Sequence, residues 1–227
     1  MNNFFVSQKG AWGDGSVRLT VPGIVMVVVL IGLLMLAAAI VRHRNAEHKK
    51  ALTTKQLVYS AAAIALAVVG SMIKLFEMPM GGSVTLMSMF FIVLIAYWYG
   101  PYVGIMTAVA YGLVQFVIEP IFYTVPQMLL DYPLAFGALG LAGFFHRKKH
   151  GLQIGYIIGV LGRFLFSTLS GVIFFAAYAP EGMHPLLYSA GYQASYLIPE
   201  VLVTLVIVSI PSVAKALAYV KTQAVYD

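Results

Sequence analysis

Seven stretches of the chain stay apolar for about 20 residues, the length at which an α-helix crosses a bilayer. They lie near residues 21–41, 56–76, 84–98, 102–118, 126–145, 152–177 and 189–219. In hydrocarbon every backbone N–H and C=O needs a partner within the protein, so unbroken apolar runs of this length can fold only as helices. The third run is short, which a tilted span or a thinned bilayer accommodates. Only 10% of the residues are charged and 61% are hydrophobic, against about 25% charged in an ordinary soluble domain. The expected fold class is an all-α integral membrane protein.

The basic residues set its orientation. Ten of the fourteen Lys and Arg fall in 42–55, in 146–150 and at Lys215 and Lys221, all on one side of a seven-span chain. That side is expected to be cytoplasmic, which places the N-terminus outside and the C-terminus inside. The opposite connectors carry Glu77, Glu119 and Glu181 and would draw a cation. A mostly polar segment precedes the first apolar run and no small-x-small cleavage site follows it, so this run reads as a retained helix. Residues 1–51 are then an outer N-terminus, an extra transmembrane helix and a basic loop, and 52–227 form a six-helix membrane domain. No internal repeat supports an inverted-repeat transporter.

Several chemistries are excluded. The chain has no cysteine, hence no disulfide or thiolate metal site, and no GxxxxGK[ST] loop with which to hydrolyse ATP. The net charge of +6 follows topology rather than a nucleic-acid patch. All five histidines sit in loops, and His146 and His150, flanked by Arg147, Lys148 and Lys149, read as a topology signal rather than metal ligands. With no metal cluster, nucleophile elbow or Ser/His/Asp set in the spans, neither an enzyme nor a resident cofactor is expected.

Four ionisable residues fall inside the spans: Lys74, Asp131, Arg163 and Glu200. Each costs about 2.5–3.5 kcal/mol to insert, so each requires a partner or a function. Lys74 is close enough to the outer end to snorkel. Arg163 and Glu200 lie at depths that differ by about 5 Å on adjacent antiparallel helices, which predicts a structural ion pair. Asp131 sits roughly 7 Å below the outer surface. Three readings are open for it: a tie to Lys74, a carboxylate solvated near the headgroups, or a counter-ion in a pocket. Tyr132 adjoins it, and Gly171, Phe175, Tyr188 and Gln193 fall in the same outer half. Aromatic faces, an amide and one acid are the parts of a site for a flat cationic heterocycle. On the second run, Ala61 with Ala65 and Ala63 with Ala67 form small-xxx-small pairs that admit a close helix, from a partner or from the same fold.

The runs "MPMGGSVTLMSMFFIVLIAYWYGPYVG" (78–104), "LLDYPLAFGALGLAGFF" (129–145) and "GRFLFSTLSGVIFFAAYAPEGMHPLLYSAGYQASYLIP" (162–199) resemble the thiamine-specific substrate-binding components of energy-coupling-factor transporters. The resemblance spans roughly residues 56–220. It implies a six-helix component that binds its vitamin from outside, docks on a transmembrane coupling protein with two cytoplasmic ATPase subunits, and topples to release substrate inward. By position it also implies that Asp131 faces the thiazolium, followed by Tyr132, with Gly171, Phe175 and Tyr188 lining the ligand. The alanines Ala61, Ala63, Ala65 and Ala67 resemble the docking surface for the coupling protein. Two positions depart: Ser167 and Gln193 stand where the family typically has His and Asn. Polar groups matched to a ligand's edge dominate discrimination, so the substrate is thiamine, a thiamine precursor or another cationic relative. A self-sufficient proton-coupled transporter using Arg163, Glu200 and Asp131 is the alternative.

Overall fold

A computed structural model describes residues 52–78 and 82–225, with the backbone of a short antiparallel pair, β1 (Val6–Ser7) and β2 (Arg18–Leu19). The run at 21–41 predicted as an extra helix lies outside the described residues. Compact packing divides the chain into two units, Met1–Lys49 with Thr168–Ala190, and Lys50–Ser167 with Gly191–Asp227.

In the larger unit α1 (Thr54–Met72) starts at a capping box, with Thr53 accepting from the Gln56 amide and the Gln56 side chain accepting from the Thr53 amide. Each satisfies an N–H that the first turn cannot. The helix ends earlier than the apolar run suggests. Residues Lys74–Glu77 form β3 and pair antiparallel with β4 (Ser83–Thr85), closed by a 2.7 Å hydrogen bond from the Met78 amide to the Gly82 carbonyl. The spans predicted at 56–76 and 84–98 therefore each surrender one end to a hairpin. Lys74 consequently does not snorkel from a helix: its Nζ lies 2.6 Å from Glu119 Oε1 and 3.1 Å from Glu77 Oε1. These bonds, that to Glu119 foremost, hold its ammonium above the ordinary lysine range.

α2 (Ser88–Tyr99) is apolar on every side, and nine of its twelve residues are buried. Such a helix must lie inside. α1, α3 (Pro101–Ile118) and the later part of α4 (Val125–Phe145) pack around it. The α3–α4 seam depends on missing side chains: a Cβ at Gly112 would meet the Tyr132 carbonyl oxygen at 2.5 Å, and one at Gly140 the Ile105 backbone at 2.5 Å.

α5 (Gly151–Phe174) and α6 (Pro185–Ser209) are the longest helices. The run predicted as one span at 189–219 is two helices, α6 and α7 (Pro211–Val225). Proline has no amide hydrogen to continue the ladder and pushes the residue before it out of the helical region, so the break falls at Ile210. Of the described helices, α1, α3, α4, α5 and α6 are each long and apolar enough to cross a membrane, and α2 is a shorter apolar one.

The alanine pairs on α1 do not share a face. Ala63 and Ala67 are buried in the core, where the Tyr111 hydroxyl donates to the Ala67 carbonyl at 3.3 Å, whereas Ala61 and Ala65 are exposed. Two residues of offset on a helix rotate a side chain by about 200°. Of the expected docking surface, only Ala61 and Ala65 are accessible.

Candidate binding site

Asp131 is carried by an irregular stretch of α4. The Thr124 hydroxyl caps the helix by accepting from the Gln127 amide at 3.3 Å, and Pro126 occupies the first turn. Regular α geometry then gives way to a π turn over Leu130–Leu134, followed by a short α piece and a 3-10 stretch over Ala138–Phe145. Pro133 lies within the π turn. In a regular helix its ring would collide with the carbonyl four residues earlier, and the wider turn removes that clash.

Gln127, a residue that sequence reasoning passed over, organises this end of the helix with its side chain. It is fully buried, with Nε2 donating to Asp131 Oδ2 at 2.6 Å and to the Ile121 carbonyl at 3.1 Å. Its Oε1 accepts from the Tyr123 amide at 3.0 Å. The signal was present as an amide one turn ahead of the acid, at i, i+4 spacing. Tyr132 holds the same connector: its hydroxyl donates to the Glu119 carbonyl at 2.6 Å and accepts from the Ile121 amide at 2.9 Å. Lys74 goes to Glu119 and Glu77, so the proposed tie to Asp131 gives way to the neutral amide of Gln127.

Elsewhere in the larger unit Ser167, on α5, meets Gln193, on α6. The Gln193 amide donates to the Ser167 carbonyl at 3.4 Å, and the Tyr196 hydroxyl donates to Gln193 Oε1. The two positions that depart from the family's pattern are thus neighbours. Tyr196 lies within electrostatic reach of Asp131, Arg163 and Glu200. It also packs, with Tyr192, against the hairpin: the Gly82 amide donates to the Tyr192 hydroxyl at 2.9 Å, and a Cβ at Gly82 would meet the Tyr196 ring at 2.8 Å.

The expected ion pair of Arg163 with Glu200 is not among the salt bridges of the described residues. Glu200, 2% exposed, accepts instead from the Thr85 hydroxyl at 2.7 Å, the Thr85 amide at 3.2 Å, the Ser88 hydroxyl at 3.2 Å and the Met89 amide at 3.4 Å. This carboxylate supplies the acceptor that the first turn of α2 lacks, since the residue before that helix, Met87, is left-handed at φ 57° and makes no side-chain cap. Arg163 lies with its guanidinium carbon 4.1 Å from the centre of the Phe136 ring. The two groups stay within Coulombic reach of each other, but their side chains contact different neighbours.

Gly171, Phe175 and Tyr188 belong to the smaller unit. Gly171 leaves no open space: a Cβ there would meet Ser189 Oγ at 2.7 Å. Phe175 and Tyr188 are half-buried, and the Phe175 ring tilts against Tyr178 with centroids 6.2 Å apart.

Comparison with known proteins bears on this geometry. The model of the thiamine transporter protein family matches residues 57–219. The thiamine transporter ThiT of Bacillus subtilis is 35% identical over 164 residues, covering 66% of this chain and 84% of that protein. A thiamine transporter ThiT of Lacticaseibacillus paracasei is 29% identical over 97 residues, covering 37% of this chain and 48% of the relative. Among solved structures, ThiT from Listeria monocytogenes superposes with a TM-score of 0.61 at 25% identity, covering 68% of this chain and 91% of that one.

Proposed function

Because this chain belongs to the thiamine transporter protein family, we propose that it captures thiamine, or a close cationic relative, from outside and passes it inward as the substrate-binding component of an energy-coupling-factor importer. The observation that carries the reading is Asp131: an acid inside a membrane-spanning helix, half-buried and accepting from the neutral amide of Gln127. A carboxylate that ionises at that depth favours a cation. Within the larger unit Tyr132, Ser167 and Gln193 complete the proposed site, with Ser167 and Gln193 shaping its polar edge; Gly171, Phe175 and Tyr188 are proposed as ligand contacts on the family resemblance alone.

The energy source lies in other subunits. On the family resemblance, a transmembrane coupling protein and two cytoplasmic ATPases supply the work, in keeping with a sequence that has no phosphate-binding loop. Ala61 and Ala65, exposed on α1, offer a shallow face for the coupling protein. The N-terminus lies outside and the C-terminus in the cytoplasm.

Calorimetry with the purified chain tests the binding role. Thiamine is expected to bind with one-to-one stoichiometry, with near-complete loss in Asp131→Asn. No heat from thiamine or from its pyrimidine and thiazole precursors would overturn the substrate reading. Uptake into vesicles by this chain alone, driven by a pH gradient without ATP, would overturn the coupled mechanism.

A further inference from the structure

A buried primary amide brings two N–H donors and an acceptor oxygen, and each left unpaired costs about 1–3 kcal/mol. Gln127 has all three engaged, by Asp131, Ile121 and Tyr123. The surrounding groups also fix which way the amide points. Flipping it would set its nitrogen against the Tyr123 N–H and its oxygen against the Ile121 carbonyl, so the donor toward Asp131 is locked in place. The connector that locks it is itself clamped by Tyr132, through Glu119 and Ile121.

A lysine or arginine at this position would orient the carboxylate equally well but would neutralise it. A neutral amide orients it and adds no charge of its own. We propose that Gln127 is a positioning residue for cation recognition: it fixes the carboxylate of Asp131 and makes its aim depend on the 119–124 connector. The proposal rests on Asp131 being the counter-ion of a cationic ligand.

The test compares thiamine with an uncharged thiophene isostere of thiamine, titrated into the purified full chain. A residue acting through the charge of Asp131 must affect the two ligands unequally. Gln127→Met is expected to weaken thiamine binding about tenfold or more, as for loss of a hydrogen bond to a charged group. Affinity for the isostere should change less than about twofold. Gln127→Asn keeps a neutral amide on a stem too short to reach Asp131; if Gln127→Met does not fold, this variant should show the same selective loss. Equal losses for both ligands would overturn the proposal and leave Gln127 a purely structural residue. Asp131→Asn separates the premise: if it weakens both ligands equally, or neither, the counter-ion reading itself fails, whatever Gln127 does.

Discussion

The hydroxyl of Thr85 donates to the carboxylate of Glu200 at 2.7 Å, joining residues 115 positions apart in sequence. Three further donors converge on the same carboxylate, from the Thr85 amide, Ser88 and the Met89 amide. Glu200→Ala would strip the Thr85 and Met89 amides of this acceptor in a buried site and leave the Thr85 and Ser88 hydroxyls, 2.7 Å apart, only each other. The expected loss is about 3 kcal/mol or more, with Thr85→Val costing about 1–2 kcal/mol because the amide bonds survive. Thermal unfolding of the purified variants measures both; equal losses would contradict this ranking.

Tyr132→Phe removes a hydroxyl that both donates and accepts, so the Glu119 carbonyl and the Ile121 amide each lose a partner. The penalty is about 1–2 kcal/mol. Its distinguishing mark is local: amide hydrogen exchange should accelerate across 119–124 while the core of α2 stays protected.

Adding one methyl at Gly112 should cost about 1–3 kcal/mol, because the obstacle is the Tyr132 backbone carbonyl and not a side chain that can swing away. The shift falls on the residue next to Asp131. Gly112→Ala should therefore lower thiamine affinity as well as melting temperature, whereas a mutation at the remote Thr204 should affect melting alone.

Lys74 titrates above its ordinary value because Glu119 and then Glu77 hold its ammonium. A raised folded-state pKa means that this stabilisation is fully present below the ordinary lysine value of about 10.5 and is lost as pH climbs through the folded value. The difference in stability between the native protein and Lys74→Met should be flat from neutral pH to about 10 and shrink above it. Since all three side chains are partly exposed, at most about 1 kcal/mol is involved.

Ser167→His with Gln193→Asn restores the polar pair typical of thiamine binders. Should the departures retune the ligand edge, the double variant will change the ratio of thiamine to precursor affinity by more than about tenfold, while melting at saturating ligand stays comparable. A ratio unchanged by the substitution would show that these positions do not select the ligand.

Spans were legible in the sequence because hydrophobic length is a local property, and so was the acid at Asp131, because a charge in an apolar run stands out. The hairpin was hidden: "KLFE" and "SVT" are short, continuous with apolar helical runs, and become strands only by pairing with each other. The break at Pro211 was visible in principle but was outweighed by continuous hydropathy. Azimuth was the larger gap. Arg163 and Glu200 were placed at matching depth, yet depth says nothing about direction, and a side chain turns by about 100° per residue. The same rotation separates Ala63 and Ala67 inside from Ala61 and Ala65 outside.

The π turn at Leu130–Leu134 makes rotation a matter of phase within α4 itself. The wider turn there and the tighter 3-10 stretch after it together set the angular phase between the acid and the glycine seam that follows. Pro133→Ala removes the obstacle to regular winding. A helix that rewound would keep its length, its apolarity and the i, i+4 pair of Gln127 with Asp131, and would rotate that pair relative to the glycine seam. The function of this span is thus stored partly in a counting offset that no single side chain carries.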